Sequence, residues 1–301
     1  VFRIERTGMM MRHRIAVSLL IAGWAAVCCA AGPKIPAIYT VPHELDVLVQ
    51  AGHVQGACCS EKGIYLAHQF GIEKIGWDGK RQGGVKAPAH LGDIGYADGR
   101  IYGAFVLRGV KNDQALGMIR VWDEQLNVVA EKTVTKEGLD GAVVIGDTLY
   151  CGIDRWGGNG HPGAAIAMFD LQLNLKGVVD VDFGYWIHFG VQTMATDGKD
   201  LFCGNYGVRK DPKENPDARN TTRLSLPGCS VQSSWTLPFA EGFCRVPDKI
   251  AKRTNPVFFC VRALGGNMQG WRKDPANNPP RIRIDFYEYD GNGHFEDITE
   301  R

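Results

Sequence analysis

His53 and His90 each stand twelve residues before a tyrosine, Tyr65 and Tyr102, so two imidazoles occupy equivalent points of two similar segments. Amides and carboxylates recur close to the same point along the chain, at Gln55, Asp93, Asp140, Gln192 and Glu241, with His188 slightly upstream of Gln192. Mixed nitrogen and oxygen donors of this kind could hold a divalent transition metal, and His53, His90 and Asp140 are its candidate ligands. Paired carboxyl groups could instead flank a glycosidic bond as acid and base. Asp140, Asp154 and Glu241 are the candidates for that chemistry.

A second group of residues suits recognition. His68, Arg155, Trp156, Asn205, Tyr206, Arg262 and Trp271 combine aromatic faces with hydrogen-bonding and cationic heads. An aromatic face stacks on a sugar ring, and an arginine fork binds a carboxylate. The bland alternative is that these polar groups cap strand starts and line a wet channel. No GxSxG elbow, P-loop or HExxH helix is present, and the glycine-rich Gly157-Gly-Asn-Gly160 follows no strand-to-helix pattern.

The elements that must position these residues are repeated. Counting back eleven residues from Tyr65, Tyr102, Tyr150 and Phe202 reaches Val54, Leu91, Leu139 and Val191. Each pair frames an apolar strand, a short polar turn and a second strand carrying the aromatic. A fifth copy, Gly242–Val246 followed by Pro256–Val261, has a longer turn. Third strands end in aspartate turns, as at Trp122-Asp123 and Phe169-Asp170, and Asp-x-x-Leu-Asn or Asp-Gly supplies the hairpin chemistry. Four antiparallel strands per repeat of 40–50 residues predict an all-β, five-bladed β-propeller. The Asp-Gly-x-Ile-Tyr hairpin Asp98–Tyr102 resembles those of the NHL and SMP-30 propellers, a resemblance of architecture only. Glu44–Val49 is expected to close the ring as an outer strand of the last blade, in competition with His294–Ile298.

In such a ring the first strands start, and the second strands end, on one rim of the axial channel. That rim collects the candidate residues above, and the long links after the second strands, carrying Trp156 and Trp271, would wall it.

Arg12-His-Arg14, the apolar Ile15–Val27 and the small Ala30-Ala31 read as a secretion signal after an overextended start. Residues 32–301 are then a single propeller domain with Gly32 as its N-terminus; a lipoprotein reading would use Cys28 or Cys29. Removing 1–31 takes four arginines and one glutamate from 34 basic and 33 acidic residues, leaving a slightly negative chain. No nucleic-acid partner is expected from that balance, and no segment is long enough for a transmembrane helix. Seven cysteines remain, mostly inside apolar strands, which allows one or two disulfides.

The expectation is a periplasmic or extracellular monomer that binds a small polar ligand such as a carbohydrate at the channel face, with action on that ligand left open and a divalent metal in the channel as a candidate cofactor. The alternatives are a non-catalytic scaffold for a protein or cell-envelope polymer, and a glycoside hydrolase or lyase.

Overall fold

Second strands read as largely apolar runs, and inner strands as small and apolar residues interrupted near their start by polar ones, because both faces of these strands are covered by neighbouring blades. The structure, a computed structural model, describes residues 38–40, 54–107, 115–154, 162–208, 220–237, 239, 241–264 and 281–299, all within the unit Ala31–Arg301. They form a five-bladed β-propeller with four antiparallel strands per blade.

After the short β1 (Ile38–Thr40), blade 1 comprises β2 (Val54–Ser60), β3 (Gly63–His68), β4 (Gly71–Ile75) and β5 (Arg81–Lys86). Blade 2 comprises β6 (His90–Ala97), β7 (Arg100–Leu107), β8 (Leu116–Asp123) and β9 (Val128–Thr135). Blade 3 begins with β10 (Gly138–Ile145), β11 (Thr148–Asp154) and β12 (Pro162–Asp170). Its outer strand is the first part of β13 (Leu175–Thr196), 22 residues long, whose second part is the inner strand of blade 4. β14 (Asp200–Val208), β15 (Thr221–Ser225) and β16 (Ser230–Trp235) complete that blade. Blade 5 contains β17 (Phe243–Arg245), β18 (Val257–Leu264) and β19 (Arg281–Tyr289), and the helical turn α1 (Asp248–Ala251) fills its long first connection. The sequence pattern did not anticipate that helical turn.

Every residue of β2 is buried, whereas β9 is exposed along most of its length. Outer strands therefore carry charge, as at Glu131 and Lys132, which protects an open sheet edge. The turns follow the residues. Asp98 and Gly99 both take positive φ, 47° and 74°, as a type I′ hairpin requires. Asp123 accepts hydrogen bonds from the amides of Gln125 and Asn127 and from the Asn127 side chain, and Asp170 repeats the arrangement with Gln172 and Asn174.

Five apolar clusters fill the five seams between blades. Tyr65 lies in the seam between blades 1 and 2, Tyr102 between 2 and 3, Tyr150 between 3 and 4, and Phe202 between 4 and 5. Phe259 takes the corresponding place between blades 5 and 1. The four aromatics are therefore equivalent, as their spacing predicts.

Ring closure uses one of the two expected segments. Glu44–Val49 lies outside the described residues, and the outer edge of blade 5 is composite. β1 pairs with Arg281–Arg283 of β19, and β20 (Phe295–Asp297) pairs with Tyr287–Tyr289 of the same strand. The expected His294–Ile298 thus supplies part of that edge as β20, and β1 supplies another part.

Candidate functional site

One irregularity repeats in the inner strands and shapes the axis. Register shifts fall between Val54 and Gly56, Leu91 and Ile94, Leu139 and Ala142, and Val191 and Thr193. A bulge at this point re-aims the side chains beside it. Gln55, Gly92, Asp140 and Gln192 thus stand at one level, and Gly56, Asp93, Gly141 and Thr193 at the next.

At the second level the strands close tightly around one carboxylate. Asp93 is fully buried. Its Oδ1 accepts the amide of Ala57 at 3.0 Å, and its Oδ2 accepts those of Ala142 at 3.3 Å and Met194 at 2.8 Å. The amide of Ile94 contributes as well. These four donors are equivalent residues of blades 1 to 4, so one side chain ties four blades together on the axis. Burial pushes the Asp93 carboxyl well above the usual carboxylate range, and the four amides oppose that rise. The approach depends on glycine. A Cβ on Gly56 would lie 2.4 Å from the Asp93 Cα, and one on Gly92 would lie 2.0 Å from Oδ1 of Asp140.

The first level is polar and buried. Gln192 donates from Nε2 to Oε1 of Gln55 at 2.7 Å, joining blade 4 to blade 1 across the axis. The Oε1 of Gln192 has no hydrogen-bond partner among the described residues, although the side chain is buried. Asp140 is buried against Gly92. Glu241 is half-buried at the start of the fifth inner strand, next to Gly242, which packs on Gly56 and Ala57. Amide groups that both donate and accept, with carboxylates beside them, can bind hydroxyl groups.

Other candidates have different surroundings. His68 is buried within blade 1, its Nε2 3.6 Å from Glu73, whose other oxygen lies 3.5 Å from Arg81. Asn205 donates to Thr222 at 3.2 Å inside blade 4 and to Tyr185, on the blade 3 part of β13, at 2.9 Å. Arg262 is held by the buried Asp285, which also accepts from Arg283. His90 is half-buried at the start of β6. His53, Arg155, Trp156 and Trp271 lie outside the described residues, as do the side chains of Asp154, His188 and Tyr206. Among the described residues no three His, Cys, Asp or Glu side chains converge as a metal would require. The candidate set of His53, His90 and Asp140 includes one residue beyond that description.

The fold is shared with known sugar-active proteins. A GH43 β-xylosidase/α-arabinofuranosidase from a compost microbial metagenome, crystallised with xylotriose, superposes with a TM-score of 0.51 at 11% identity, covering 89% of this chain and 98% of that one. The GH43_1 enzyme of Xanthomonas citri, complexed with xylose, gives 0.51 at 10% identity over 84% of this chain and 96% of its own. The Pan2 WD40 domain of Neurospora crassa gives 0.42 at 12% identity, with 68% of this chain covering 58% of that one. No protein-family model matches the chain, and no curated protein matches it in sequence. At these identities the likeness is one of fold.

Beyond the Asp93 plug, toward the ends of the inner strands, lies a second axial feature that the sequence did not suggest. A cavity of about 300 Å³ is lined by the same stretch of every blade, including Cys58, Cys59, Tyr96, Met194, Cys244 and Arg245. Its only trace in the sequence is that the residues three to five places after Val54, Leu91, Leu139 and Val191 are mostly small or apolar, which reads equally well as core. No helix among the described residues is long and apolar enough to cross a membrane.

Proposed function

We propose that this is an exported propeller that binds a small polar ligand of the carbohydrate class at the strand-start end of its axis. The observation that carries the reading is the buried polar level of Gln55, Asp140 and Gln192, with Glu241 beside it, above the closed Asp93 plug. A plugged axis has a floor, so polar groups above it face one end only. Buried amides and carboxylates suit hydroxyl groups, because hydrogen bonds made away from water discriminate strongly against a ligand that lacks them. The xylose and xylotriose complexes of two proteins with this fold make pentose sugars the first ligands to try.

Titration of the purified protein with xylose and xylotriose tests it. Binding should raise the unfolding midpoint, since a ligand at a hundred times its Kd adds about 2.7 kcal/mol. Gln55→Ala combined with Gln192→Ala should remove that shift while leaving a folded protein. A wild-type midpoint indifferent to both sugars and to a broader panel of neutral and acidic glycans would overturn the reading.

A second reading makes the site hydrolytic. It rests on Asp140 and Glu241, since Asp93, at the next level, is bound by backbone amides. Asp140→Asn should then abolish release of an aryl leaving group from a xyloside and leave sugar binding intact. Export itself predicts an N-terminus at Gly32, which mass spectrometry of the secreted protein reads directly; retention of residues 1–31 would count against it.

A further inference from the structure

Four of the five seams separate blades that follow one another along the chain. The fifth joins blade 5 to blade 1, and its inner wall holds two thiols. Cys59 of β2 and Cys244 of β17 have their Sγ atoms 3.4 Å apart, and both point at one backbone carbonyl, that of Arg245, at 3.1 and 3.3 Å. A disulfide requires about 2.05 Å, so an approach of roughly 1.4 Å joins them. Both line the axial cavity, and Cys244 is the more exposed of the two. Cys58 lines the same cavity but belongs to the seam between blades 1 and 2, because successive strand side chains point to opposite faces.

We propose that Cys59 and Cys244 are a dithiol–disulfide pair that locks the ring on its axis at the seam between first and last blades, with the axial cavity admitting the oxidant. The oxidant is a small-molecule disulfide, and the reaction is thiol–disulfide exchange. The Cys244 thiolate attacks one sulfur of that disulfide, forming a mixed disulfide and releasing one thiolate. Cys59 then attacks the Cys244 sulfur and displaces the second thiolate. Two electrons pass from the cysteine pair to the small disulfide, and the two thiol protons end on its two released thiols. Burial and the neighbouring Cys244 raise the Cys59 thiol well above its ordinary value, which suits the resolving role rather than the attacking one.

The lock would cross-link residues 185 positions apart. It acts on the inner edge of a blade whose outer edge is closed by hydrogen bonds to β1 and β20, so the two closures are independent.

The test uses the full chain, purified reduced and incubated with oxidised glutathione under native conditions. Alkylation and peptide mapping should then find Cys59 joined to Cys244, with a mass lower by two hydrogen atoms, and the oxidised protein should melt at a higher temperature than the reduced one. Cys58→Ser should behave as the wild type. Cys59→Ala should stop at a glutathione adduct on Cys244, and Cys244→Ala should show no oxidation-dependent melting shift. Persistence of both thiols, a stable Cys244 adduct in the wild type, or a cross-link through Cys58 would each overturn the proposal. Because mapping reads the bond itself, a variant that fails to fold leaves the wild-type result decisive.

Discussion

Adding one methyl group at Gly56 strikes the axis where it is least able to yield. The new Cβ would stand 2.1 Å from Oδ1 of Asp93 and 2.4 Å from its Cα. The oxygen belongs to a side chain held by backbone amides, and the Cα is backbone, so neither can swing away. An ordinary contact needs about 3.4 Å or more, and the inner strands of blades 1 and 2 must therefore part by roughly 1 Å. That displacement falls on the 3.0 Å bond from Ala57 to Asp93 and, if Asp93 retreats, on the bonds from Ala142 and Met194. Overpacking costs about 1–3 kcal/mol, and each buried amide left without its hydrogen bond costs about 1–3 kcal/mol. Gly56→Ala should consequently destabilise the protein by about 2–6 kcal/mol, a large part of the stability of a typical domain. Urea unfolding followed by tryptophan fluorescence measures the change. Gly177→Ala is the control, since its Cβ would meet nothing but the mobile end of Met168, at 3.3 Å. If Gly56→Ala costs no more than that control, the inner strands do not close on Asp93 and the layered axis is wrong.

The remaining expectations can be tested on the same protein. Asp93 has a folded-state pKa raised by burial, so the native state holds more protons than the unfolded one between the ordinary carboxylate pKa and the raised value. Stability should therefore fall as pH rises through that window, and Asp93→Asn should flatten the slope in pH-dependent urea unfolding. Asp123 and Asp170 are displaced in the other direction, lowered chiefly by the hydrogen bonds from Asn127 and Asn174; their contribution should be present above the ordinary carboxylate pKa and vanish as pH falls, and an NMR titration should place both below the usual range. Tyr65→Ala and Phe202→Ala each empty a fully buried ring site and should cost about 3–5 kcal/mol in the same urea experiment. Equal stability of either variant and the wild type would remove it from the seam core.

Blade count and blade boundaries were legible because they rest on spacing. The eleven-residue interval survives from Val54–Tyr65 to Val191–Phe202, and it depends only on strand length and turn size. The fifth copy broke the interval through Pro247–Asn255, and the cause is α1, too short to show a helical period. The axis was less legible. Asp93 reads from sequence as a polar residue on an open rim, and nothing local reveals three amides contributed by other blades, 36 to 101 residues away. The repeated bulge is hidden for a related reason: it changes which residues face the axis without changing the spacing between Leu91 and Tyr102. His68 was placed at a strand end, correctly, but its partner Glu73 on the next strand takes it into the interior of blade 1. Gln55 and Gln192 were both named from their positions at strand starts, whereas the contact between them exists only once the ring is closed.

The composite outer edge of blade 5 has a consequence for biosynthesis. Ile38–Thr40 is made before blades 1 to 4, yet its pairing partner, Arg281–Arg283, is made after them. Until Arg281–Arg283 emerges β1 lacks this partner, and four blades can assemble while the fifth still lacks its edge. The final pairing must then draw together segments some 240 residues apart, a long loop closure of the kind that slows folding. A nascent chain caught before that moment exposes an unpaired sheet edge, so the interval between emergence of Tyr289 and docking of Ile38 is when this protein most needs protection from aggregation.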